Sequence, residues 1–472
     1  MKTIKLILLL LITQSLFAQE YNITIKLNDL TEGDVQLGHY YGQHQYIKDT
    51  AAINAKGICE FQSDTAWPGG IYFVVFSNNQ YFEFMMNGEK AMVFETSAAN
   101  PAKDMKVKKS KENTIFYDYM SYVQNKQDSI IFLQGRIKAL QKSKNDSLQL
   151  YKDRLDALNT IMQDKKLKLI EKHPNSMAAT IFMASKSPEI PEETPILPNG
   201  KKDSTFAYRY YKAHFWDNID LTDDRILRTP ILYSKLDEYL FKVIPQHPDS
   251  AIIEVDKLIE KSRGNKEMFK YILWLTTYKY ESSAMMGFDK VFVHLVNKYY
   301  KTGEAFWVAK STLNHMIERA DKLEPLLLGE IAPNMIIIDT NNRLYSMHSI
   351  EADFLIIAFW DTECGHCMKE IPKLNKFYKE FKDYYNLEVF AVSTDTSLTE
   401  WKDYIKKRNL TWVNTNGTRT ATEDFHKLYD IYSTPVFYLL NEEKRIIAKR
   451  LSVDQMKNFI HKYHTEAIKN KD

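Results

Sequence analysis

From Tyr21 to about Thr96 apolar and polar residues alternate with a period of two. Ile23, Ile25 and Leu27 share one face of a strand, and Val35–Leu37, Tyr46–Ile47, Ile58–Phe61, Ile71–Phe76, Tyr81–Met86 and Met92–Phe94 follow as further short runs. Gly33, Gly42, Gly57, Pro68-Gly69-Gly70 and Gly88 punctuate them. About seven strands of this length predict a small antiparallel sandwich or open barrel, placed over residues 20–100. Alternation puts Cys59 on the same face as Phe61, which makes it a small core residue.

Near Pro101 the period becomes helical. Leu133, Ile137 and Leu140, then Leu148, Tyr151, Leu155, Leu158 and Met162, recur at spacings of three and four with charged residues between them. They predict a helical hairpin turning near Ser143–Asp146; the heptad fails across that turn, which disfavours an intermolecular coiled coil. Pro188, Pro191, Pro195 and Pro198 mark an exposed connection, since proline does not fit a helix interior. Helical periodicity resumes near Asp223 and runs to about Leu327 without a fixed repeat length, so residues 101–328 read as an irregular helical domain. Its aromatics, Phe215-Trp216, Trp274 and Phe306-Trp307, read as contacts between packed helices.

Beyond Gly329 strand-like runs (Met335–Ile338, Phe354–Phe359, Leu387–Val392, Val436–Leu440, Arg445–Ala448) alternate with helical ones (Gly365–Phe381, Leu398–Lys407, Ala421–Tyr429, Val453–Tyr463). Such alternation predicts a mixed sheet covered by helices, an α/β domain over residues 329–472. The fold class is therefore multidomain: a small all-β sandwich, an irregular all-α domain and a C-terminal α/β domain.

Composition narrows the function classes. With 63 Lys+Arg against 61 Asp+Glu the formal charge is +2. That balance offers no broad basic field for a polyanion, so nucleic acid is not an expected partner. The start of the chain, with Lys2 and Lys5, the apolar run Leu6–Ile12 and Ala18 before Gln19-Glu20, has the layout of a signal peptide over residues 1–19. Its apolar core is shorter than the roughly 18 residues a bilayer span requires, and no Cys near Ala18 offers a site for a lipid. The expectation is a soluble, periplasmic or otherwise extracytoplasmic protein that does not span the membrane.

The three cysteines, Cys59, Cys364 and Cys367, are too few for a disulfide scaffold, so the close pair invites a chemical reading. The apolar run Phe354–Trp360 leads through Asp361-Thr362-Glu363 into Cys364-Gly365-His366-Cys367, and Met368–Asn375 has helix character. The thiols thus fall at a strand-to-helix junction. Placed three apart in a first helical turn, they lie within about 5–6 Å at Cα, a separation a disulfide tolerates. Cys364, at the exposed end, faces unpaired N–H groups and the positive end of the helix dipole, which favour thiolate. It is the expected nucleophile, and the shielded Cys367 the resolving thiol, with the Cys364–Cys367 disulfide as the redox centre and no other cofactor. His366 adds positive charge beside Cys364. Glu370 continues the series Cys364, Cys367, Glu370 and is a candidate proton carrier. Competing chemistries fail on spacing. Met368 stands where haem attachment needs His, Asp361 stands where a peroxidatic site needs Thr, and His426, His461 and His464 stand alone, so no metal site is expected.

These residues, together with Ala332-Pro333-Asn334, the strand ending Phe359-Trp360, Glu370-Ile371-Pro372 and Thr434-Pro435, resemble the thioredoxin-fold, TlpA/ResA-like thiol-disulfide oxidoreductases. The resemblance implies that Pro435 is cis beside the thiols and, with Thr434, shapes a groove where an extended substrate pairs. It further implies that Glu370 serves proton transfer, and it tilts the direction towards reduction of cysteines in extracytoplasmic proteins, including apocytochrome c in cytochrome c maturation, whereas a Cys-Gly-His-Cys centre, as in disulfide isomerases, tilts it towards oxidation or isomerisation. A membrane thiol-disulfide transporter would be the electron donor. Two positions depart from the pattern. Ala358 stands where thioredoxin has a buried acid, and Glu363 stands where a Trp is usual, setting a negative charge against the effect of His366. The upstream segments are similar to N-terminal extensions of Bacteroidetes-type thioredoxin-like proteins. The alternative reading is a redox-regulated binding module of the cell envelope whose N-terminal domains engage a partner.

Overall fold

The computed structural model describes residues 21–141 and 147–469; the leader-like residues 1–19 and the hairpin turn at Ser143–Asp146 lie outside them. The chain divides into two compact units. One holds the residues up to Ile244 with Glu260–Phe269, the other Pro245–Ile259 with the chain from Lys270 onward.

The first unit opens with β1 (Tyr21–Leu27), β2 (Asp34–Tyr41), β3 (His44–Ala52), β4 (Ile58–Ser63), β5 (Gly70–Val75), β6 (Tyr81–Met86), β7 (Ala91–Thr96) and β8 (Lys106–Lys109). They form two four-stranded sheets, ordered β4-β1-β7-β8 and β3-β2-β5-β6. Alternate residues of both close on one core, with Ile23, Ile25, Leu37, Phe61, Val74 and Phe84 among its members. Cys59 is buried in it, its thiol pushed up to about 12 by that burial. Two details differ from the expected antiparallel sandwich. β1 and β7 pair in parallel, a register that needs a long connection and leaves no hairpin signature in sequence. β8, Lys-Val-Lys-Lys, carries a single apolar residue and so gives no alternation to read.

Helices α1 (Lys111–Leu140), α2 (Ser147–Lys172), α3 (Met177–Ala184), α4 (Phe206–His214) and α5 (Pro230–Glu238) complete this unit. Ser110 caps α1 by accepting from the N–H of Asn113. The amide of Asn113 in turn bonds both the N–H and the C=O of Met85 (2.7 and 2.9 Å), which covers part of the β6 edge. In α1 and α2 the apolar stripe from Leu133 to Met162 occupies the half-buried or buried positions while most intervening residues are exposed, as an amphipathic hairpin requires.

The second unit contains most of α6 (Pro248–Ser262) and α7 (Lys266–Glu281), then α8 (Asp289–Leu295) and α9 (Lys310–Leu323). The C-terminal α/β part follows as β9 (Ile336–Asp339), β10 (Leu344–Ser346), β11 (Phe354–Trp360), α10 (Cys367–Tyr385), β12 (Leu387–Ser393), α11 (Leu398–Arg408), β13 (Val413–Thr420), the single turn α12 (Phe425–Leu428), β14 (Val436–Asn441), β15 (Ile446–Lys449) and α13 (Val453–Lys469). The sheet order is β10-β9-β13-β12-β11-β14-β15, with β11, β12 and β13 parallel and the other pairs antiparallel. Every residue of β11 is buried. Ile356, Ala358 and Trp360 face the core that includes α10 and α13, whereas Leu355, Ile357 and Phe359 face the core around Phe390, Phe425 and Tyr429. A strand covered on both faces reads as an unbroken apolar run.

The predicted helix over Ala421–Tyr429 is cut to Phe425–Leu428 by β13, which extends to Thr420. Periodicity missed β13 because its buried positions are polar. Thr415 donates to the Ala391 carbonyl (2.9 Å), Asn414 to those of Leu410 and Trp412, and Asn416 to that of Asp395, so hydrogen bonds replace apolar burial.

Asp256 on α6 holds α8 and the turn that follows it. Its carboxylate pairs with His294 (3.0 Å), Lys298 (2.8 Å) and the Tyr299 hydroxyl (2.9 Å). Burial pushes its pKa up, but hydrogen bonds from His294, Lys298 and Tyr299 outweigh that and hold it at about 2. A carboxyl depressed on folding stabilises the fold above its unfolded pKa of about 4 and loses that contribution as pH falls towards the folded value. Asp256→Asn should therefore lower the melting temperature at pH 7, and thermal melts at decreasing pH should show the gap to wild type closing between about pH 4 and pH 2.

Candidate active site

β11 ends at Trp360 beside the ends of its parallel neighbour β12 and its antiparallel neighbour β14, and the chain leaves it through an acidic turn. Asp361 accepts from the Glu363 N–H (2.7 Å) and from the Thr394 hydroxyl (2.9 Å). The buried Asp395 accepts from the N–H of Thr362 (2.9 Å), from its hydroxyl and from the Ser393 hydroxyl (2.5 Å). This network ties the segment before Cys364 to the end of β12.

The helix begins later than the spacing predicts, at Cys367. Cys364 precedes it and occupies a capping role: its carbonyl accepts from the Met368 N–H (3.0 Å), and its sulfur accepts from the Cys367 N–H (3.2 Å). The Cys364 thiol also lies 3.1 Å from the backbone oxygen of Thr434, to which it donates when protonated. The Thr434–Pro435 peptide bond is cis. Both cysteines are free thiols in the structure.

The two sulfurs sit in opposed environments. Cys364 is half-buried; that burial pushes its pKa up, but hydrogen bonding from the Cys367 thiol and from the backbone N–H groups of Cys367 and His366 outweighs it, and the net shift is downward. Cys367 is fully buried in the core that also holds Trp360, Ile371 and Trp401. Burial and its bond to Cys364 push it up to about 12. The outer thiol is thus shifted towards thiolate while the inner one, one turn deeper, is shifted towards the protonated form.

The remaining expected residues surround this pair. His366 and Glu363 are both exposed. The groups that bond Cys364 are neutral ones, the backbone of His366 among them. The Glu370 carboxylate accepts from Lys373 (2.8 Å) and from the N–H of Val453 (2.9 Å), the first residue of α13. It joins two helices and borders a cleft of about 500 Å³ that His366, Thr434 and Pro435 also line. Arg450 and the buried Asp430 form an ion pair on the same cleft. Sequence reasoning missed Asp395, Asp430 and Arg450. Asp395 had a usable signal, since it follows β12, the parallel neighbour of the strand that delivers the cysteines, and ligands gather at the carboxyl ends of such strands. Arg450 had none. Among the described residues there is no cluster of His, Cys, Asp and Glu that could hold a metal ion, and no helix long and apolar enough to cross a membrane.

Residues 352–446 match a family model described as thioredoxin-like. The chain is 24% identical over 149 residues to thiol-disulfide oxidoreductase ResA of Bacillus cereus, covering 30% of this chain and 82% of that protein. The corresponding protein of Bacillus subtilis is 26% identical over 140 residues, covering 30% and 75%. The C-terminal domain of this chain is thus TlpA/ResA-like and of the thioredoxin fold. The same oxidoreductase domain is 34% identical to a solved domain of a possible thiol-disulfide isomerase from Cytophaga hutchinsonii, with a TM-score of 0.29, covering 31% of this chain and 98% of that one. Upstream of the oxidoreductase domain, residues 21–116 and 160–322 match two domain families described as of unknown function.

Truncating Asp395 to Ala leaves the Thr362 N–H and the Thr362 and Ser393 hydroxyls without their acceptor. It should cost about 1–3 kcal/mol of stability, read by denaturant titration, and should reduce thiol-disulfide exchange by loosening the approach to Cys364.

Proposed function

We propose that this protein is an extracytoplasmic oxidoreductase that reduces disulfides of polypeptide substrates through Cys364 and Cys367. The observation that carries the reading is the opposed state of the two sulfurs, the outer one lowered and half-exposed, the inner one raised and buried. The Cys364 thiolate attacks one sulfur of a substrate disulfide. A Cys364–substrate bond forms, the substrate S–S bond breaks, and the released thiolate takes up a proton. Cys367 then loses its proton and attacks the Cys364 sulfur, freeing the second substrate thiol and leaving a Cys364–Cys367 disulfide. The substrate gains two electrons and the protein loses two. An external dithiol must return them, a role that fits a membrane thiol-disulfide transporter.

The reducing direction rests on the family resemblance; at the site, neutral hydrogen bonds hold the outer sulfur against opposing burial. Thr434 and Pro435 border the cleft beside Cys364, where an extended substrate backbone would lie. Glu370 lines that cleft and is the carboxylate we assign to proton movement in the exchange; its bonds are to Lys373 and Val453. The leader-like residues 1–19 support the extracytoplasmic placement.

Insulin reduction tests this. Wild type should accelerate it with dithiothreitol as reductant, Cys364→Ser should abolish the effect, and Cys367→Ala should accumulate a mixed disulfide at Cys364. Its potential should lie below about −200 mV. Turnover that survives Cys364→Ser would contradict the proposal.

A further inference from the structure

Helices α7 and α9, with Tyr300, Trp307 and Val308 between them and Tyr432 before Pro435, line a second, open cavity of about 670 Å³. Trp274 and Tyr278, one turn apart on α7, stack with ring centres 5.9 Å apart and planes 9° from parallel, yet they remain 44% and 51% exposed. The sequence pattern suggests that Trp274 packs between helices; the fold instead presents it as an open shelf. Opposite stands Tyr432, 70% exposed, with Arg319 and Lys322 each 5.6 Å from its ring centre. Exposed aromatics forgo burial worth roughly 25 cal/mol per Å², so a shelf of them marks a surface meant to be covered.

Tyr432 also lines the cleft that holds His366, Thr434 and Pro435, so the two cavities adjoin across one side chain. Charge on the aromatic cavity nearly cancels, Glu281 and Glu318 against Arg319 and Lys322. Its polar groups are partly occupied: Arg319 pairs with Glu281 (3.4 Å), and the Tyr300 hydroxyl bonds Thr277 (3.1 Å). The balance of charge disfavours an anion. A flat, neutral side chain suits the cavity.

Resting on the reading that Cys364 exchanges disulfides with polypeptides, we propose that this cavity is a specificity subsite of the same reaction. It takes an aromatic side chain from the substrate segment flanking the cysteine under attack, with the ring stacked on Trp274 and Tyr278. The substrate backbone would pass Tyr432 on its way from the redox cleft.

The test uses the full chain and short Gly/Ser peptides, each bearing one cysteine in disulfide linkage to glutathione, with a single Trp moved along either side of that cysteine. At one or a few positions Trp should raise kcat/KM about ten-fold over the peptide that lacks it. Trp274→Ala and Tyr278→Ala should remove the preference, and Trp274→Phe should keep most of it. Equal rates for every peptide, or a preference that survives both alanine variants, would overturn the subsite and leave the reductase reading standing. Quenching of wild-type tryptophan emission by maltohexaose but not by the Trp peptides, lost in Trp274→Phe, would overturn it in favour of a glycan site. If wild type reduces neither the peptides nor insulin, both proposals fall together.

Discussion

The N–H of Cys367 points at the sulfur of Cys364, and the chemistry of the chain depends on that 3.2 Å contact. It exists because a strand buried on both faces ends at Trp360 and the following turn is tied down by Asp361 and Asp395. A helix then starts with its first N–H groups still lacking partners within it. The outer sulfur takes the place of a capping group and is stabilised as an anion, while the inner one is carried into the core by the helix it begins. Neither effect requires a charged neighbour. Geometry sets the difference between two chemically identical side chains.

How much of this could be read from residue order depended on whether burial left an apolar trace. β11 and the first turns of α10 were legible because Phe354–Trp360 is an uninterrupted apolar run and Ile371, Leu374 and Tyr378 recur at helical spacing. β13 was not, because Asn414, Thr415 and Asn416 are buried through hydrogen bonds and look like a loop. The site divides along the same line. Cys364 and Cys367 announce themselves by type and spacing, and Pro435 through the family resemblance. Asp395 bonds Thr362, and Asp430 bonds Arg450, across 33 and 20 residues of sequence. Glu370 shows a further limit, since its spacing from Cys367 was clear while its bond to the start of α13 was not.

The helical residues illustrate the converse error. Aromatic density suggested packing, and Phe215 and Trp216 are indeed buried. Trp274 and Tyr278 share the composition and face outward, because α7 presents that side to a cavity instead of a neighbouring helix. Periodicity reports which residues lie on one face; what covers the face is a property of the fold.

Exchange at this site requires the two thiols to differ in acidity, and site-resolved alkylation of the reduced protein across pH measures that directly. With each cysteine followed separately by mass spectrometry, Cys364 should react with a midpoint below that of an ordinary thiol, and Cys367 should stay unmodified until far more alkaline conditions. Equal reactivity at the two positions, or a Cys364 midpoint at or above the ordinary value of about 8.5, would contradict it.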